Sequence, residues 1–174
     1  MSNFDSSNKA LFLDRDGVLN HLITSRPPWS LSEIKIYEEA FELISFAKQQ
    51  SFIPIVITNQ PDAGRGKLGF KDLEIINDTI MRTLGINHYY VCMHPYDGMC
   101  SCRKPLIGSF IKAQETHNID LKQSFLIGDR DKDIIAGNNA GCKTIKISIN
   151  KSPIANYNVS NHTQLINLIK TILI

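Results

Sequence analysis

The chain has 174 residues, 43% of them hydrophobic and 21% charged, with a formal net charge of +2. That size suits one compact domain, expected here to span residues 1–174. The near-neutral charge and the lack of any long Lys/Arg run argue against a nucleic-acid partner bound through a basic face. The opening MSNFDSSNKA has no apolar signal core, and no segment approaches the ~20 apolar residues of a membrane span, so a cytoplasmic protein with no membrane partner is expected.

In chain order, ALFLD (10–14) reads as a buried strand. Residues 38–49 have apolar side chains at helical spacing, and FIPIVIT (52–58) is a second buried strand. Leu73, Ile76, Ile80 and Leu84 share one face of a helix over 70–84. HYYVC (88–92) is a third strand and 106–117 a helix. SFLIG (124–128) is a fourth strand, 131–140 a helix and KTIKI (143–147) a fifth strand. TQLINLIKTILI closes the chain as an amphipathic helix. This alternation predicts an α/β fold, a single doubly wound, Rossmann-like parallel sheet with helices on both faces. No segment after residue 30 is long enough for a second domain.

Open parallel sheets bind ligands beyond the carboxyl ends of their strands. Asp14, Thr58, Cys92 and Asp129 fall at or just past such ends, and Lys104 lies in the long loop after the third strand. Asp14, Asp16 and Asp129 would then converge. Three carboxylates together are strongly disfavoured without a cation. Mg²⁺ suits them, because it takes oxygen ligands and keeps places for water and substrate phosphate. Lys104 and Thr58 add a positive charge and a hydroxyl, which suit the oxygens of a transferring phosphoryl group.

The segment 92–102 reads Cys-x-His-x5-Cys-x-Cys. Cys92, His94, Cys100 and Cys102 form a complete Cys₃His set for tetrahedral Zn²⁺. Pro95, Asp97 and Gly98 make it a loop, and with no ligand position left open the ion would be structural. Clamping the loop 92–104 would fix Arg103 and Lys104 over the rim. Cys142 stands apart as a core residue, and nothing in the sequence specifies an oligomer.

DRDGVLN, TNQ, CRKP and GDRDKD, in that order, resemble the four motifs of the haloacid dehalogenase-like phosphatases, over residues 10 to about 147. The resemblance implies an enzyme in which Asp14 is the nucleophile and forms an aspartyl-phosphate. It implies that Asp16 protonates the leaving alkoxide and then activates water. Mg²⁺ would be held by Asp14, the backbone carbonyl of Asp16 and Asp129, with Asp133 behind them orienting the loop or a metal-bound water. Thr58 and Lys104 would hold the phosphoryl group. Arg15 and Arg130 are read as solvated.

The zinc loop is similar to the branch that includes heptose bisphosphate and histidinol-phosphate phosphatases, which lack a separate cap domain. That branch implies a small phosphorylated metabolite as substrate. Asn20, Thr58-Asn59-Gln60 and Arg65-Gly66-Lys67 favour a sugar bisphosphate, with Asn59, Gln60, Arg65 and Arg103 as substrate contacts. Asp62 and Trp29 would instead suit the amine and imidazole of histidinol phosphate. Residues 21–30, HLITSRPPWS, depart from the heptose pattern. Receiver domains, a non-enzymatic class, also combine a phosphorylatable Asp, a Thr, a Lys and Mg²⁺. Their phosphorylated Asp ends strand three, where this chain has Cys92, and an acid two residues past the nucleophile points to turnover.

Overall fold

A computed structural model describes residues 7–95 and 99–173, so Asp97 and Gly98 of the cysteine loop lie outside the described residues. The strands are β1 (Lys9–Leu13), β2 (Phe52–Asn59), β3 (His88–Cys92), β4 (Phe125–Gly128), β5 (Lys143–Ile147) and β6 (Tyr157–Val159). The helices are α1 (Glu38–Gln49), α2 (Pro61–Gly64), α3 (Phe70–Leu84), α4 (Gly108–His117), α5 (Asp131–Ala140) and α6 (His162–Ile172). The five expected strands and the main helices are present, with ends shifted by up to two residues. β6 is an addition: three residues with one buried side chain leave too short a pattern to read.

The sheet is parallel throughout, in the order β3-β2-β1-β4-β5-β6. Parallel strands with helices over both faces bury both sides, which is why β1 is a continuous apolar run. Successive side chains alternate faces. Leu11 and Leu13 join α1, α3 and α6 in one core, while Ala10 and Phe12 join α4 and α5 in the other. The chain order reverses at β1, from which it runs outward to β2 and β3 and then returns to β4 on the other side. Ligand crevices form at such a reversal, beyond the carboxyl ends of the strands. The ladder runs one residue past β1, where the Asp14 N–H donates to the Ile127 carbonyl at 2.9 Å.

Two packing devices hold this rim. The His21, Tyr37 and His162 rings stack with centroids 3.8 and 3.6 Å apart. His162 Nε2 donates to the Val18 carbonyl at 3.0 Å, tying α6 to the segment after β1. On the other face, Gly137 lets α5 lie against β4 and β5. A Cβ there would stand 2.6 Å from Thr144 Cγ2 and 2.7 Å from Leu126 Cδ2. Among the described residues no helix is long and apolar enough to cross a membrane.

Gly137→Ala therefore tests the α5 seam. Overpacking of this kind costs about 1–3 kcal/mol, against the ~1 kcal/mol that alanine gains over glycine in a helix. A lowered urea midpoint is expected; an unchanged or raised midpoint would show that the seam yields.

Candidate active site

The site is assembled at the reversal between β1 and β4. Asp14 follows β1, Asp129 follows β4, and Asp133 lies in the first turn of α5. One carboxylate oxygen from each of the three falls within 4.8 Å of the others. Lys104 enters from the loop after β3, its side chain fully buried. Its Nζ stands 2.9 Å from Asp14 Oδ1 and 2.8 Å from Asp133 Oδ1. Burial pushes the ammonium towards losing its proton, but Asp133 and Asp14 outweigh that and hold its pKa above the usual lysine range.

Asp129 is pushed up to about 7, first by burial and then by the Asp14 and Asp133 charges. Its Oδ1 is buried with no hydrogen-bond partner among the described residues. Burial and the Asp14 charge likewise raise Asp133. A bare oxygen beside two further carboxylates is a donor set that fits a hard divalent cation. Gly17 (φ +86°) allows this approach, since a Cβ there would stand 2.6 Å from Asp129 Oδ2.

Asp16 points elsewhere. Its carboxylate is not in the three-carboxylate cluster, an arrangement that leaves only its backbone carbonyl for the metal. Arg15 Nε and Nη2 donate to its two oxygens at 3.1 and 2.9 Å, Asn20 Nδ2 donates at 2.9 Å and Gln60 Nε2 at 2.6 Å. The reading of Arg15 as solvated is corrected: its side chain is completely buried. A guanidinium can be buried there because it finds both Asp16 oxygens and, through Nη1 at 2.5 Å, Asn77 Oδ1 on α3. Arg130 is about half exposed, with Nε 3.8 Å from Asp129 Oδ2. Asp133, expected behind the metal, is itself in the cluster; its Oδ2 also accepts the Arg130 N–H at 3.1 Å.

The remaining expected contacts divide between the cleft and its supports. Thr58 is buried, and its Oγ1 accepts from Gln60 Nε2 at 2.9 Å, leaving the hydroxyl hydrogen free to donate. Gln60 is thus turned inward to Thr58 and Asp16. Asn59 lines the cleft and also exchanges two bonds with the Lys104 backbone, at 3.0 and 3.1 Å. Arg103 donates to the carbonyls of His94 and Pro95, back into the cysteine loop. Arg65 lies 3.9 Å from Asp62 near the surface. The cleft, with a cavity volume of about 130 Å³, runs from Asp14 to Arg26, Asp62, Arg130 and Lys132.

Sequence reasoning missed the pairing that stiffens the wall of this cleft. Arg26 pairs with Glu33 through both Nη atoms at 2.9 and 2.6 Å and lies 4.4 Å over the Trp29 ring. Glu33 also takes the Trp29 N–H at 2.8 Å, and its carboxyl is lowered to about 2, chiefly by Arg26. Residues seven apart in an irregular segment carry no periodic signal.

At the cysteine loop, Cys92 Sγ lies 3.8 Å from Cys100 Sγ and 3.5 Å from His94 Nδ1, with Cys102 Sγ 3.3 Å from the same nitrogen. Zn–S bonds of about 2.3 Å and Zn–N bonds of about 2.0 Å at tetrahedral angles give edges of roughly 3.8 and 3.5 Å, so the donor set has the right size. Burial and the neighbouring Cys92 and Cys100 push the Cys102 thiol up to about 12, because thiolates this close resist ionising together without a cation.

The HAD-hydrolase-like family matches residues 101–160. A D-glycero-beta-D-manno-heptose-1,7-bisphosphate 7-phosphatase from Helicobacter pylori is 34% identical over 174 aligned residues, covering 95% of this chain and 99% of that protein. A D-glycero-alpha-D-manno-heptose-1,7-bisphosphate 7-phosphatase from Burkholderia mallei is 36% identical over 79% of this chain and 78% of its own. The crystal structure of a D,D-heptose 1,7-bisphosphate phosphatase from B. bronchiseptica, complexed with magnesium and phosphate, shares the fold, with a TM-score of 0.83 at 24% identity, covering 94% of this chain and 98% of that one. With the Helicobacter pylori relative 34% identical along nearly the full length of both chains, this protein belongs to the haloacid dehalogenase-like phosphatases, in the family of the heptose-1,7-bisphosphate 7-phosphatases.

Proposed function

We propose that the chain, acting as one domain, removes the 7-phosphate from a D-glycero-D-manno-heptose 1,7-bisphosphate in the cytoplasm. The observation that carries the reaction is the meeting of Asp14, Asp129, Asp133 and the buried Lys104 ammonium at one end of a cleft. The substrate rests on the relatives' activity.

In this reading an Asp14 oxygen attacks phosphorus, the bond from phosphorus to the sugar oxygen breaks, and Asp16 gives that oxygen its proton. Asp16 then takes a proton from water as the water attacks the aspartyl-phosphate, which frees inorganic phosphate and restores Asp14. Lys104 and the Thr58 hydroxyl hold the phosphoryl oxygens. Asp14, the Asp16 carbonyl and Asp129 would hold Mg²⁺, which when bound supplies positive charge to the carboxylates and the transferring group. Asp133 anchors Lys104 and the backbone of Arg130. Cys92, His94, Cys100 and Cys102 would hold Zn²⁺, fixing the loop that delivers Lys104.

The cleft itself favours a phosphorylated sugar over histidinol phosphate. Arg26, Arg130 and Lys132 line its outer part, where a second phosphate would lie. Trp29, the aromatic candidate for an imidazole, packs on the core and under Arg26 instead of lining the cleft. Asp62 remains there and would suit an amine.

Three measurements test this reading. Phosphate release with Mg²⁺ present should be far faster from heptose 1,7-bisphosphate than from histidinol phosphate; the reverse preference would overturn the substrate. Asp14→Asn should abolish turnover on every phosphate ester with an unchanged circular dichroism spectrum, and full activity would remove Asp14 from the nucleophile's role. The purified protein should contain about one zinc per chain, and chelation should lower its melting temperature. A zinc-free, fully active protein would defeat the structural site.

A further inference from the structure

We propose that Arg15, braced by Asn77, is a positioning residue that fixes where the Asp16 carboxylate stands during phosphoryl transfer. The inference rests on the reading of Asp16 as the group that exchanges a proton with the leaving oxygen. Arg15 sits between the two aspartates with its side chain wholly buried. Burying a guanidinium is costly unless its N–H groups and charge are matched. Here the match is two-sided. Nε and Nη2 form a fork on both Asp16 oxygens, and Nη1 reaches Asn77 Oδ1, 62 residues along the chain.

Asn77 has no packing reason to be where it is. It is buried on the face of α3 that otherwise presents Leu73, Ile76, Ile80 and Leu84 to the core. An unpaired amide there would be unfavourable. Its side-chain oxygen is accounted for by Arg15. A chain of contacts therefore leads from the α3 core face through Arg15 to Asp16, and on through Gln60 to Thr58. With Asn20 also donating, Asp16 is held on both oxygens, outside the three-carboxylate cluster. Cutting the Asn77 contact frees the fork to turn, and the carboxylate with it. Displacement of a reacting group by about 1 Å can cost on the order of 100-fold in rate.

The test uses the leaving group. A sugar alkoxide needs a proton as its bond to phosphorus breaks, whereas nitrophenolate leaves without one. Asn77→Leu removes the acceptor at similar volume, and Asn77→Asp retains an acceptor oxygen. For Asn77→Leu, kcat on heptose 1,7-bisphosphate should fall about 10–100-fold, while the pre-steady-state burst of nitrophenolate from p-nitrophenyl phosphate stays within roughly threefold of the parent. Asn77→Asp should restore most of the loss, and Arg15→Lys, which cannot form the fork, should reproduce the Asn77→Leu split. An equal slowing of both substrates, or of neither, would overturn the positioning role. Asp16→Asn measured alongside separates the premise. If it shows no dependence on the leaving group, the reading of Asp16 fails; if it does and Asn77→Leu does not, only the role of Arg15 and Asn77 fails.

Discussion

The rim of the sheet is organised around one buried cation. The Lys104 ammonium lies between Asp14 and Asp133 with no exposure to solvent, an arrangement that is unfavourable unless both carboxylates are in place. It links the end of β1, the first turn of α5 and the loop after β3. Asn59, at the end of β2, holds the same lysine by its backbone. Four elements far apart in sequence thus share one electrostatic constraint. Displacing any of them would strand charge in a low-dielectric site.

That constraint also explains the carboxylates. Lys104 offsets part of the charge of Asp14 and Asp133 and leaves Asp129 with a bare oxygen and a raised pKa. The site sets three carboxylates against one ammonium, and that excess of negative charge is the condition for holding a hard divalent ion. Asp16 is segregated from this cluster by Arg15, Asn20 and Gln60. Two aspartates two residues apart therefore meet different surroundings, and different surroundings are what separate the roles of paired carboxylates.

The walls of the cleft belong to a different part of the molecule. The wall formed by residues 20–34 is stiffened by the Arg26–Glu33 pair stacked on Trp29. The cysteine loop leads directly into Lys104, and Arg103 is bonded back into that loop. A rigid catalytic floor under loop-built walls is how one fold serves different small phosphate esters.

Much was legible in the sequence because it is local. The apolar runs of the strands, the helical spacing of α3 and the Cys-x-His-x5-Cys-x-Cys pattern follow from chain periodicity and ligand chemistry. The motifs at strand ends foretold a shared rim, since parallel strands align their carboxyl ends. What the sequence could not carry were partnerships across long separations. Arg15 looked like a solvated neighbour of two acids until Asn77 of α3 supplied its buried partner. Asp133 was expected behind the metal, orienting the loop or a metal-bound water, and its ion pair with Lys104 came only with the fold. Arg26 and Glu33 meet only through the path of an irregular loop. The sequence by itself determined the fold class, the family and the residue types of the site, because these repeat at short range. The tertiary structure alone decided which charges are buried together and which donor holds each carboxylate, because those depend on contacts between residues tens of positions apart.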